Sequence, residues 1–153
     1  MDEYTIQRAS LADRLDETVV MWRDHWNEQG EEAARAQPFN PDVAGFLDAE
    51  QRGWFAYLTV TRGDDLVGHF GLSFGKNRQT SLLTAGDDFL YLKPEHRKGF
   101  LALKLIRAAV DLAFQNGAVE FGISFRTFGS VDLEPLLRRC KFKHLANVYS
   151  VRR

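Results

Sequence analysis

The chain has 153 residues and is 44% hydrophobic, with twelve Phe and three Trp, which is enough for one sizeable core and short for two ordinary domains; a single domain over residues 1–153 is expected. Twenty Lys plus Arg against twenty-one Asp plus Glu leave a formal charge of -1, so no overall field draws the chain to nucleic acid or an anionic membrane. The single cysteine, Cys140, excludes an intrachain disulfide framework and any multi-cysteine metal site, and the opening Met1-Asp2-Glu3-Tyr4 lacks a basic-then-apolar leader, so a soluble cytoplasmic protein is expected.

Tyr4 to Arg8 reads as a short opening strand. Ser10, with Asp13 three residues on, reads as an N-cap, and Leu11, Leu15, Val19, Trp22 and Trp26 then line one face of a helix running to about Gln29, with Gly30 beyond it. Glu31 to Pro41 is polar and Pro-containing, a loop or a frayed extension. Asp42 can cap a second, short helix holding Val43, Phe46 and Leu47, which ends before Gly53. Trp54 to Thr61 and Leu66 to Phe74 form a hairpin around Arg62-Gly63-Asp64-Asp65, with Leu66, Gly68, Phe70, Leu72 and Phe74 on one face and Val67, His69, Gly71 and Ser73 on the other. Lys76 to Gln79 is a polar hairpin tip, and Ser81 to Ala85 leads into the next strand.

Phe89-Leu90-Tyr91-Leu92 has no polar alternation, so it reads as a strand covered on both faces and placed centrally in its sheet. It ends at Lys93-Pro94-Glu95, and the basic loop His96-Arg97-Lys98-Gly99 follows. From Phe100 to Asn116 the polar residues Lys104, Arg107, Asp111 and Gln115 recur at helical spacing with apolar residues between them, which predicts a helix with one narrow wet stripe. Gly117 suits its left-handed end, Val119 to Phe125 alternates as the next strand, Asp132 to Arg139 fits a short last helix, and Lys141 to Val151 fits a closing strand or hairpin. A helix that starts just after a buried strand presents unpaired N–H groups, and Arg97 and Lys98 add positive charge there, so an anion, a phosphate first of all, is the expected ligand. Neither a Walker loop nor a Gly-x-Gly-x-x-Gly occurs.

Leu90-Tyr91-Leu92-Lys93-Pro94-Glu95-His96-Arg97-Lys98-Gly99-Phe100-Leu101-Ala102 resembles the acetyl-CoA-binding segment of the GNAT (Gcn5-related) N-acetyltransferases, whose motif is Arg/Gln-x-x-Gly-x-Gly/Ala after a strand that ends near a Pro. Arg97 matches the first position and Ala102 the last, while Phe100 stands where the family usually has Gly; a second frame, from His96 through Gly99 to Leu101, keeps the Gly and loses the Arg and the small residue. The resemblance implies an α/β (α+β) fold with a mixed, mostly antiparallel sheet of six to seven strands and about four helices, like compact bacterial or phage members. It implies that acetyl-CoA lies along Leu90, Tyr91 and Leu92, with its pyrophosphate at Arg97, Lys98, Gly99, Phe100, Leu101 and Ala102, and that an amine acceptor enters on the side of the first two helices. In the family an Asn and a Tyr on the last helix assist; here Ser130 matches the Asn, Leu137 holds the Tyr position, and Lys141-Phe142 replaces the usual Gly-Phe pair.

Transfer of an acetyl group to an amine needs the amine neutral and a proton returned to the departing thiolate. Asp87 and Asp88 are the acids placed to take the first proton; adjacent strand residues point to opposite faces, so one of the two is expected to face the cleft. Tyr149, on the expected closing strand, is the nearest substitute for the missing Tyr as proton donor. His25, His69, His96 and His144 show no ligand spacing, and Ser124 and Ser130 lack a nucleophile elbow, which disfavours metal and hydrolase chemistry. Two readings remain: an acetyl-CoA-dependent N-acetyltransferase, or a module of the same fold that acts through a protein partner. A homodimer is left open in both.

Overall fold

A computed structural model describes residues 3–30, 37–125 and 131–153. Five strands, β1 (Tyr4–Ala9), β2 (Phe55–Arg62), β3 (Asp65–Lys76), β4 (Leu83–Leu92) and β5 (Glu120–Gly122), form one sheet in chain order. The first three pairings are antiparallel and β4 pairs β5 in parallel. The four α-helices among the described residues are α1 (Leu15–Glu28), α2 (Val43–Gln51), α3 (Leu101–Gln115) and α4 (Glu134–Arg139).

Parallel neighbours need a crossover, and α3 supplies it between β4 and β5. Its wet stripe falls where the spacing predicts: Lys104, Arg107, Asp111 and Gln115 are exposed, while Leu101, Leu105, Ile106, Ala109 and Ala113 pack against Phe70, Leu72, Phe74 and Leu92 of the sheet. Gly117, at φ +92°, turns the chain out of the helix. The opposite face of the sheet is covered by α1 and α2 through Leu11, Trp22, Phe55, Tyr57 and Phe89, with Phe39, Phe46 and Leu47 at the margin. The sheet is therefore sandwiched, and the Phe89–Leu92 run of β4 is covered on both faces.

The Asp42 side chain accepts from the Gly45 N–H at 2.9 Å, as a cap of α2. The cap expected of Ser10 is different. Its hydroxyl turns to Glu50 of α2, whose Oε1 takes the Leu11 N–H at 2.8 Å, and a short 3-10 turn (Ala12–Arg14) intervenes before α1. A carboxylate from another helix thus does what a local hydroxyl was expected to do.

The hairpin forms around Gly63, at φ +60°, but its faces are not those of simple alternation. Val60 pairs with Gly68 and Thr61 with Leu66, so Val67 is an extra residue on β3. This bulge carries Val67 into the α3-side core and leaves Leu66 with Met21 and Tyr91 on the other side.

The expected six to seven strands reduce to five among the described residues. The strand expected from Val119 to Phe125 pairs only over Glu120–Gly122, and Lys141 to Val151 forms no strand. Leu145, Val148, Tyr149 and Val151 are 76–97% exposed. Alternating, β-branched sequence signals a capacity to pair; a strand also needs a ladder partner, and this segment has none among the described residues.

Candidate functional site

β4 has two dissimilar halves. Thr84, Ala85 and Gly86 pair with β3 on one edge and with Glu120, Phe121 and Gly122 on the other. Past Gly86, β5 ends and β4 continues for six residues with β3 alone beside it among the described residues. The run Phe89–Leu92 is therefore covered on its faces, as its sequence requires, yet it forms an open edge and is not interior to the ladder. The Lys93 N–H donates to Val67 O on β3 at 2.9 Å, so the preceding carbonyl, that of Leu92, points away from β3. By alternation the N–H and C=O of Leu90 and the N–H of Leu92 also face the open edge.

The two acids sit where the halves meet. Asp87 pairs opposite Leu72 and Phe89 opposite Gly71, so Asp88 is an extra, bulged residue. Asp87 Oδ1 accepts from the Ser124 N–H at 2.9 Å, bridging the gap that opens between β4 and β5. Asp88 accepts from Ser73 Oγ on β3, a residue of the face covered by α1 and α2. Burial pushes both carboxyls above the ordinary range, with the Ser124 and Ser73 hydrogen bonds opposing it. Such a carboxylate, within reach of solvent and held by one hydroxyl, can accept a proton from a neutralising amine.

The open edge runs into the β4–α3 loop. Gly99 takes the left-handed conformation at φ +66° with open space around its Cα, and Phe100, the residue before α3, is at φ -104° and 64% exposed. The conformational demand thus falls on Gly99, and Phe100 sits in the loop without backbone strain. Leu101 is buried, Ala102 half-buried and Lys98 exposed. Arg97 is engaged: Nη1 and Nη2 donate to the two carboxylate oxygens of Glu28, each at 2.6 Å, Nε donates to Leu92 O at 2.8 Å, and the guanidinium lies 5.2 Å from the Tyr91 ring centroid.

The chain that carries this edge and loop matches known proteins in sequence profile and in fold. The family profile described as "Acetyltransferase (GNAT) family" covers residues 15–131. The chain belongs to the GNAT acetyltransferase family. No curated protein matches it. Among solved structures it is similar to a GCN5-related N-acetyltransferase from Ralstonia eutropha, at 15% identity and TM-score 0.77 over 97% of this chain and 98% of that one. It is also similar to a ribosomal-protein-alanine N-acetyltransferase from Brucella melitensis, at 18% identity and TM-score 0.75 over 98% and 97%. An aminoglycoside acetyltransferase from an uncultured soil sample aligns at 14% identity and TM-score 0.74 over 98% of both chains. At these identities the likeness is one of fold.

Among GNAT positions read from the sequence, Leu137, where the family has Tyr, is buried in the α3-side core and offers no proton. Ser130 lies outside the described residues. Tyr149 is 89% exposed, so it is not held against Asp87 or Asp88. Cys140 is half-buried, and burial raises its thiol pKa, which suits a small packing residue.

Three further residues were not picked out by sequence reasoning. Ser73 and Glu28 have no local signal, since their partners are 15 and 69 residues away. The sequence places His69 on a strand face and shows no metal-ligand spacing for it, but carries no sign of its partners. It is fully buried on β3 with Phe89 at 4.6 Å between ring centroids; Nδ1 meets the Tyr57 hydroxyl at 3.1 Å, and that hydroxyl meets Thr18 Oγ1 at 2.7 Å. Burial pushes its pKa down to about 3, and Nε2 has no hydrogen-bond partner among the described residues. It is a neutral packing residue against the back of the open half of β4.

Proposed function

We propose that this GNAT protein transfers an acetyl group from acetyl-CoA directly to a primary amine of a small molecule or a protein. The observation that carries this reading is the open edge of β4 from Asp87 to Leu92, which begins at two acids of raised pKa and ends at the N-terminus of α3. Leu90 and Leu92 would hold the cofactor's amide-bearing arm by main-chain bonds, and the Arg97–Ala102 loop with the first N–H groups of α3 would hold its phosphates. When bound, acetyl-CoA supplies an acetyl group activated as a thioester. Asp88, on the face covered by α1 and α2, takes the proton of the attacking amine, with Ser73 fixing its carboxylate; Asp87 keeps the end of β5 tied across the gap.

Neither Leu137 nor the exposed Tyr149 is set to return a proton to the thiolate, and this favours the second reading, a weakly active or inactive GNAT-fold module working through a protein partner. Thermal scans and acetyl-CoA turnover separate them. CoA at about a hundred times its dissociation constant adds roughly 2.7 kcal/mol, a rise in Tm of about 5–10 °C. Absence of any shift at millimolar CoA refutes the cofactor site; a shift without free thiol released against a panel of amines leaves only the binding module.

A further inference from the structure

Arg97 is one of two cations, with Lys98, that the β4–α3 loop offers to a phosphate, and three of its five N–H donors, including the forked pair, are already in use. Both Nη groups form a fork-to-fork pair with Glu28, at 2.6 Å each, and Nε caps the outward-pointing carbonyl of Leu92 at 2.8 Å. A guanidinium offers the same parallel pair of N–H donors to a carboxylate and to a phosphate. Glu28 is the last residue of α1, where the partial negative charge of the helix end disfavours a carboxylate, so the helix gains from keeping Arg97 there. The ion pair is neither sealed nor fully solvated, its side chains being 27% and 22% exposed, so an incoming anion can reach it.

We propose that Glu28 is an internal competitor for the phosphate site: a carboxylate that occupies the Arg97 fork until a phosphate-bearing ligand displaces it. The inference rests on the acetyl-CoA reading for the identity of the ligand, while the competition itself concerns any phosphate anion. Glu28 then lowers affinity for the cofactor. The Nε contact to Leu92 O need not break, since it uses neither Nη group.

Calorimetric titration with CoA and, separately, with inorganic pyrophosphate tests this in the wild type and in Glu28→Gln, Glu28→Asp, Arg97→Ala and the double variant Glu28→Gln/Arg97→Ala. Glu28→Gln should bind both probes about tenfold more tightly, from loss of one charge-assisted competitor. Glu28→Asp, which keeps the charge and shortens the reach, should show a smaller gain, and either variant suffices if the other fails to fold. In the Arg97→Ala background Glu28→Gln should gain nothing. Equal or weaker binding by the Glu28 variants, or a gain that persists without Arg97, overturns the competition while CoA binding by the wild type keeps the cofactor reading. A gain for pyrophosphate with no CoA binding anywhere keeps the competition and removes that reading. Binding of neither probe to any variant removes both.

Discussion

The two halves of β4 differ in a way that separates structure from function. Thr84 to Gly86 carries small side chains and is laddered on both edges, whereas Asp87 to Leu92, which among the described residues has a strand on one edge only, carries larger ones and holds the acids and the outward-facing main-chain groups. A strand can lose a ladder partner and remain fixed if its faces are well packed. In the open half that task falls on Phe89, whose ring lies within 4.6–6.0 Å, centroid to centroid, of His69, Trp22, Phe46, Phe55 and Tyr57. Phe89→Ala should therefore have the largest effect, a loss of about 3–5 kcal/mol in denaturant unfolding. A loss below about 1 kcal/mol would show that something other than its faces holds the open half.

The next effect is read by pH. His69 pairs with Tyr91 behind the open edge, and its pKa is about 3 in the folded protein against 6.5 ordinarily. Between these values the unfolded chain binds the proton and the folded chain does not. The contribution is fully present above about pH 6.5 and is lost as pH falls toward 3, at up to about 1.4 kcal/mol per unit. From pH 6.5 to 4.5 the wild type should lose about 2 kcal/mol more than His69→Phe, compared as slopes since the substitution also removes the Tyr57 contact. Parallel stability profiles would show that His69 is protonated in the folded state and that the core behind the open half is wetter than its packing indicates.

How much of this difference was legible in the sequence follows from what a pattern reports. The α3 stripe at Lys104, Arg107, Asp111 and Gln115, and the double burial of Phe89 to Leu92, were readable because periodicity records which faces are covered. Edges leave no such record, so the same apolar run gave no sign that β5 stops beside Gly86. The bulges at Val67 and Asp88 were hidden for a related reason: each is visible only in the register with a partner strand. The basic loop was legible from Arg97 and Lys98, but Glu28, 69 residues earlier, was not.

The bulge sharpens the expectation for the acids. Asp88 is bonded to Ser73 on the acceptor-side face and Asp87 to the main chain of Ser124, so their substitution should be unequal. Asp88→Asn should cut turnover at least about tenfold with CoA affinity unchanged, and Asp87→Asn should be nearly silent in rate. Because the base must be ionised and burial raises its pKa, the rate should climb with pH through a limb above the ordinary carboxylate range, and that limb should vanish in Asp88→Asn. Equal losses in the two variants would mean that the bulge does not divide their roles.

The smallest effect is expected furthest from the open half. Tyr149 has the chemistry of a proton donor, but a general acid must come within hydrogen-bond reach of the leaving atom, and a ring 89% exposed on a segment without strand pairing is not held there. Tyr149→Phe removes only the hydroxyl, so in this arrangement it should change turnover by less than about twofold, and the alkaline limb of the pH–rate profile should not move. Transfer then depends on orientation along β4 and on the outward N–H groups of Leu90 and Leu92, with the thiolate taking its proton from solvent. A tenfold loss in Tyr149→Phe, with that limb displaced, would show that the segment from Lys141 to Val151 folds back over the open edge during turnover, and that the open half of β4 is completed by the end of its own chain.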